Sequence, residues 1–82
     1  MRLKIGDRVK LIKDVEYVES GTTGTVVHIH AVTPNIGICF DIRSPMLHSC
    51  EYHCDRGTGW YVFPDDIQLI QKAYIDATKN WG

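Results

Sequence analysis

Four side chains that commonly bind metals lie close together in the segment LHSCEYHCDRGTGWYV: His48, Cys50, His53 and Cys54. Zinc takes cysteine thiolates and histidine nitrogens in tetrahedral geometry, and His48, Cys50 and Cys54 are the predicted ligands if zinc binds here. The spacing departs from structural zinc sites, which are usually built from two separated ligand pairs. A Cys50–Cys54 disulfide is a second alternative. The interpretation that we adopt has no cofactor: Cys50 and His48 pack inward as a brace for the loop.

A cysteine near a histidine can also be an activated nucleophile. The sequence predicts no helix N-terminus and no strand-to-helix turn near Cys50 or Cys54, and a chain of 82 residues leaves little room for a cleft. We therefore expect no catalytic residues and no enzyme activity. A second histidine pair, His28 and His30, lies on one face of a predicted strand. Such a pair can bind a metal or sense pH, although it is more often a solvated polar surface.

Alternation of apolar and polar residues predicts the strands that must position these side chains. The strands are expected at 8–13, 25–31, 36–42, 59–63 and 67–70, with a 3₁₀ turn at 64–66 and a long loop at 43–58. Helical spacing of apolar residues predicts a short C-terminal helix at 71–80. Short strands with glycine turns are typical of a small antiparallel barrel. The predicted core consists of Val9, Leu11, Val27, Ile29, Ile38, Phe40, Trp60, Val62, Ile67 and Leu69.

Composition limits the classes of function. A net charge of −1 argues against a strongly electrostatic nucleic-acid binder, although five of the nine basic residues lie in the first thirteen positions. No apolar run reaches the roughly 20 residues needed to cross a membrane, and no signal peptide is recognisable. We therefore expect a cytoplasmic protein without a membrane partner. The three cysteines are an odd number, which favours reduced thiols over a disulfide framework.

Four sequence pieces together resemble a known fold family: GDRVKLIKD, GTTGTVVHI, IGICFD and GTGWYVFPDDIQLI. The combination resembles SH3-like barrels, and more narrowly the small SH3-like proteins of bacteriophages and prophages. Those proteins often carry a His-x-Cys element before this Gly-x-Gly-Trp strand. The resemblance covers residues 3–71 and implies an all-β, five-stranded antiparallel SH3-like barrel, which we assign to 1–71. The predicted helix or tail at 72–82 falls outside the matched pattern. The resemblance also implies the cytoplasm of a bacterial host, but it identifies no partner because such folds serve many functions.

SH3-type barrels bind extended segments in an aromatic groove between loops. In this chain we expect Tyr17, Tyr52, Trp60 and Tyr61 to line that groove, with Asp55 and the acidic residues of the 14–20 loop as its rim. The predicted function is a non-catalytic module that binds a host or phage protein. The alternative is a KOW-like module that binds RNA or DNA, with exposed aromatic side chains stacked on bases. The sequence leaves the partner and the oligomeric state open.

Overall fold

Five short antiparallel strands form the fold, as the alternating sequence pattern predicts. The computed structural model describes residues 3–32 and 35–73. The all-β prediction is confirmed, and the predicted 3₁₀ turn is present at Pro64–Asp66. The strands are β1 (Arg8–Leu11), β2 (Thr23–Ile29), β3 (Ile36–Phe40), β4 (Gly59–Val62) and β5 (Ile67–Gln71).

The strands make one sheet in the order β4-β3-β2-β1-β5. Each of β1 to β3 pairs with the next strand along the chain. β5 returns to the free side of β1, where Leu69 lies opposite Val9. The first and last strands are therefore neighbours. The described residues contain no helix with the length and apolar character needed to cross a membrane. Gln71 belongs to β5, so the predicted helix is wrong at that residue; from residue 74 onward it lies outside the described residues.

The core is close to the predicted one, with an error in β2. Val27 and Ile29 were expected to be buried, whereas Val26 is fully buried, Val27 is half-buried and Ile29 is 38% exposed. Of the other predicted residues, Trp60 and Leu69 are half-buried against the core. The predicted core residues that the structure confirms as buried are Val9, Leu11, Ile38, Phe40, Val62 and Ile67.

The error in β2 has a physical cause, a β-bulge. Val26 lies opposite Ile38, but the next pair is His28 with Gly37, so Val27 is an extra residue without a partner in β3. A bulge places two residues opposite one and changes which side chains face the core. Val26, before the bulge, faces inward. His28, after the bulge, lies opposite Gly37. Because Ile38 is buried and successive residues of a strand point to opposite faces, Gly37 and His28 belong to the outer face. The bulge thus turns His28 toward the outer face of the sheet.

The long loop at 43–58 is anchored to the sheet at several points. His48 and Gly59 exchange two backbone hydrogen bonds, of 2.9 and 2.6 Å, which add a short bridge to β4. Leu47 is buried in the core, and Cys50 is buried between the loop and the sheet. These contacts explain how a long segment without helix or strand keeps a defined conformation beside the sheet.

Candidate functional site

Three consecutive residues of the long loop, Cys50, Glu51 and Tyr52, have left-handed backbone conformations, with φ of 50°, 60° and 72°. None is a glycine, and this conformation costs L-residues about 1–2 kcal/mol each. We call residues 50–52 the left-handed turn. Ser49 holds it closed, because its hydroxyl accepts the Tyr52 N–H at 2.9 Å and its carbonyl accepts the His53 N–H at 2.9 Å.

Cys50 fixes the left-handed turn to the sheet. Its thiol is fully buried and points to the Ile38 carbonyl, 3.8 Å away. Two glycines make room for the sulfur: a Cβ on Gly37 would lie 3.2 Å from it, and a Cβ on Gly59 would lie 2.9 Å from it. Strained backbone persists only where its surroundings determine it, and the buried thiol is such a constraint. Cys50 is therefore the anchor that holds Glu51 above the sheet.

The carboxylate of Glu51 reaches two histidines: His28, which lies in β2, and His30, which follows the end of β2. Its Oε2 lies 3.0 Å from Nε2 of His30, and its Oε1 lies 3.9 Å from Nδ1 of His28. The Tyr61 hydroxyl of β4 lies 2.7 Å from the same His28 nitrogen. The ligand atoms of His28, His30 and Glu51 all lie within 4.8 Å of one another. Two imidazoles and a carboxylate thus converge on one point of the outer surface.

All four histidines of the chain belong to one aromatic group. His53 stacks on His28 with ring centroids 4.1 Å apart, and His28 lies 4.4 Å from His30. Tyr61 connects the fourth histidine, His48, to the other three, because the Tyr61 ring lies 4.7 Å from His30 and 5.6 Å from His48. We call these five residues the histidine cluster. Burial raises the pKa of Tyr61 to about 12, so its hydroxyl keeps its proton and can donate a hydrogen bond.

A row of aromatic rings continues from the histidine cluster toward the loop between β1 and β2. The His48 ring stacks on Trp60 with ring centroids 5.1 Å apart, and the Tyr17 ring lies nearly perpendicular to Trp60, at 5.3 Å and 87°. Tyr17 is 41% exposed, and it sits in a tight turn closed by paired hydrogen bonds between Val15 and Val18. We call Tyr17, Trp60, His48 and Tyr61 the aromatic row.

The five predicted binding residues fall into two places. Tyr17, Trp60 and Tyr61 belong to the aromatic row, although Trp60 also packs against the core. Tyr52 is 95% exposed and lines, with Asp55, a separate cleft of about 360 Å³. His48 lines this cleft and also belongs to the row, so the residue shared by both places is one that we did not predict for binding.

The surface also carries a larger cleft at the base of the long loop. It has a volume of about 620 Å³ and is lined by Arg43, Ser44, Pro45, Leu47, Arg56 and Gly57. It includes none of the five predicted binding residues, and Leu47 and Pro45 make its walls largely apolar. The aromatic features and this cleft are therefore different parts of the same loop.

The three cysteines are free thiols that approach one another beneath the long loop. The Thr58 hydroxyl lies 3.3 Å from the Cys54 sulfur and 3.4 Å from the Cys39 sulfur. Burial raises the pKa of Cys50 to about 12 and also raises the pKa of Cys54. Both thiols therefore remain protonated at neutral pH in the absence of a metal, which makes them poor nucleophiles.

The predicted zinc ligands differ from the group that the structure brings together. Nδ1 of His48 accepts the Cys50 N–H at 2.9 Å, which commits that nitrogen to the loop backbone. Within residues 3–32 and 35–73, the group of three whose ligand atoms converge is His28, His30 and Glu51. The sequence placed His28 and His30 on one strand face, but no sequence signal paired them with Glu51.

Comparison with known proteins gives no relative for the chain. No protein-family model, curated protein or solved structure matches it. The functional argument therefore depends on the residues and their geometry.

Proposed function

We propose that the chain is a non-catalytic binding module that engages an extended segment of a partner protein along the aromatic row. One observation carries the proposal: Tyr17, Trp60, His48 and Tyr61 form a continuous series of ring contacts, of 5.3, 5.1 and 5.6 Å, while Tyr17 keeps 41% of its surface exposed. Exposed aromatic side chains are enriched in binding surfaces because they bury large areas with few rotatable bonds.

An SH3-like barrel of phage or prophage type is the fold that we propose for this module. The strand order β4-β3-β2-β1-β5 and the 3₁₀ turn before β5 are compatible with that fold, which the sequence resembles. In SH3-type modules an aromatic groove between loops accepts extended peptides. The proposal places the groove between the 12–22 loop and the long loop, because Tyr17 and His48 belong to these two loops.

Charge near Tyr17 suggests the chemistry of the partner. Asp14, Glu16 and Glu19 are exposed in the same loop, and the Asp14 carboxylate accepts the Ser20 N–H at 2.7 Å, which helps to keep the loop folded. An acidic rim beside aromatic side chains favours a segment that carries basic residues, because complementary potentials speed and orient association. A host or phage protein with an extended basic segment is therefore the proposed partner.

The nucleic-acid alternative has less support. Arg8 makes a two-point ion pair with Asp41, at 3.0 and 2.6 Å, and Lys13 lies 3.4 Å from Asp66. Two of the N-terminal basic side chains are thus matched with carboxylates of the same chain. Nucleic-acid affinity comes largely from basic side chains that neutralise phosphates, and these two are less available for that purpose.

Selection from an unbiased peptide library, followed by affinity measurement, tests the proposal. Selected peptides should be rich in basic residues, and Tyr17→Ala should weaken their binding by about tenfold, as expected when an aromatic anchor is lost. Tyr52→Ala is the matched control, since Tyr52 is exposed outside the aromatic row. Loss of binding in Tyr52→Ala with normal binding in Tyr17→Ala would place the groove in the smaller cleft. Salt-sensitive binding of labelled single-stranded RNA or DNA without peptide binding would favour the alternative.

A further inference from the structure

We propose that His28, His30 and Glu51 bind one divalent transition-metal ion, with zinc as the preferred biological ion. The site lies on the outer face of the sheet and uses none of the predicted cysteine ligands. Its three ligands are not part of the aromatic row, although Tyr61 of that row contacts His28. Three features of the structure support the site: the ligand geometry, the strained turn that supplies Glu51, and the surrounding side chains.

The ligand spacing is close to what a tetrahedral ion requires. Zinc bonds to histidine nitrogen and carboxylate oxygen are about 2.1 Å long, which places neighbouring tetrahedral ligands about 3.4 Å apart. The observed separations are 3.0 Å between Glu51 Oε2 and His30 Nε2 and 3.9 Å between Glu51 Oε1 and His28 Nδ1. One ligand atom from each of the three residues lies within 4.8 Å of the other two, so side-chain rotations that bring these atoms closer by up to about 1.4 Å would complete the site.

The left-handed turn supports the site independently of the ligand distances, because holding Glu51 in its position requires strained backbone conformations. Three non-glycine residues in this conformation are strained by about 1–2 kcal/mol each, and such strain concentrates at ligand-binding sites. The turn buries the Cys50 sulfur between the loop and the sheet, while the adjacent Glu51 carboxylate meets His30 at the surface. Buried Cys50 anchors the turn, and Glu51 is the residue that the anchored turn presents.

The surrounding side chains hold His28 in place and leave room for a fourth ligand. The His53 ring stacks on His28 at 4.1 Å and restricts its rotation. The Tyr61 hydroxyl lies 2.7 Å from His28 Nδ1; when a metal takes this nitrogen, the hydroxyl can turn to donate to Glu51 or to a metal-bound water. The side chains of His30 and Glu51 are 34% and 58% exposed, so water can reach the ion. Two imidazoles, one carboxylate and one open position form a donor set that zinc accepts.

Cobalt(II) titration of the whole chain is the first test, because cobalt reports its ligands by visible absorption. We expect saturation at one equivalent, bands of a tetrahedral or five-coordinate ion, and no thiolate-to-cobalt charge transfer. Zinc should displace the cobalt. The absence of saturable binding up to millimolar metal would overturn the proposal, and so would a strong thiolate band.

Matched variants identify the ligands. His30→Gln and Glu51→Gln should each weaken zinc binding by more than tenfold, since loss of an outer partner alone typically costs about 10–100-fold. Cys54→Ser is the control and should bind zinc nearly as tightly as the wild type, because Cys54 lies outside the proposed ligand group. Binding that survives in Glu51→Gln and His30→Gln but disappears in Cys54→Ser would assign the metal to the cysteines and refute the site.

A thermal melt provides a readout that does not depend on cobalt spectra. Zinc should raise the melting temperature of the wild type, since a ligand that binds only the folded state stabilises it. At the same zinc concentration it should raise that of Glu51→Gln much less. His30 and Glu51 are partly exposed, so the variants should fold without metal, which circular dichroism checks. An equal zinc-induced shift in wild type and in both ligand variants would contradict the assignment.

Discussion

Asp7 connects the two ends of the described chain, and its replacement should weaken the whole fold. It is 1% exposed, and its carboxylate accepts two backbone N–H groups, from Lys4 at 2.8 Å and from Ala73 at 2.6 Å. Hydrogen bonds to a charged group contribute about 1.5–3 kcal/mol each. Asp7→Ala removes both acceptors, and the freed amides can recover part of the loss by binding water. We therefore expect a decrease of about 3 kcal/mol in the free energy of unfolding.

This loss is large for a small domain, whose total stability is on the order of 5–10 kcal/mol. Urea denaturation followed by tryptophan fluorescence measures it. With a slope of about 1 kcal/mol per molar urea, the midpoint should fall by about 2–3 M. Glu16→Ala is the control, because Glu16 is exposed in the 12–22 loop, and its midpoint should not move.

Hydrogen exchange separates this mechanism from general loosening of the core. The amide of Ala73 should exchange faster in Asp7→Ala under conditions where buried amides of β1 and β2 remain protected. A midpoint within about 0.3 M of the wild type would show that the two hydrogen bonds contribute little. A lower midpoint with unchanged exchange at Ala73 would show that Asp7 stabilises the fold by another route.

Three further substitutions test the packing and one surface ion pair. A Cβ at Gly59 would lie 2.8 Å from the His48 carbonyl and 2.9 Å from two thiol sulfurs, so Gly59→Ala should lower stability by about 1–3 kcal/mol in a urea melt. Phe40→Ala, at a buried position, should cost about 3–5 kcal/mol in the same assay; an unchanged midpoint would refute its place in the core. The hydrogen bond from Arg8 lowers the pKa of Asp41, so this pair stabilises the fold above about pH 4 and less as pH falls through the lowered pKa. Asp41→Asn should therefore cost no more than about 1 kcal/mol at pH 7 and almost nothing near pH 2; an equal cost at both would contradict the ion pair.

The sheet could be predicted from sequence because its information is local. Alternation in β3 (Ile36–Phe40) places Ile36, Ile38 and Phe40 on one face, and all three are buried. The Pro-Asp-Asp sequence indicates the 3₁₀ turn, since proline fits its first position and the Asp66 side chain accepts the Phe63 N–H at 3.0 Å. Patterns of this kind depend only on residues a few positions apart.

The β-bulge could not be predicted in the same way. Val26 and Val27 are identical side chains, so alternation can be started from either one, and the sequence gives no preference. The choice is made by pairing with β3, where Ile38 takes Val26 as its partner and Gly37 takes His28. Because Val27 is an extra residue, Val26 takes the inward position that simple alternation gives to Val27, while His28 stays on the outer face as that alternation predicts. This is why the histidine pair was placed correctly and the core of β2 was not.

Glu51 was missed for a related reason. It lies 21 residues from His30 along the chain, and the turn that brings them together contains Cys, Glu and Tyr, none of which indicates a left-handed backbone. Glycine or asparagine would have given a signal at these positions. The conformation is imposed instead by tertiary contacts of the residue before Glu51, whose burial becomes visible only in the folded chain.

The buried cysteine and the proposed metal site therefore have complementary roles. A thiol with a pKa raised to about 12 stays protonated and neutral, which suits a buried position better than nucleophilic attack. Gly37 and Gly59 have no side chain that would occupy the position of its sulfur. Cys50 can therefore be fully buried, and its burial holds the left-handed turn in place. The same turn places the Glu51 carboxylate 3.0 Å from the imidazole of His30. In this arrangement the cysteine that looks like a zinc ligand in the sequence fixes the position of the turn, and the nitrogen and oxygen atoms of His28, His30 and Glu51 supply the donor atoms.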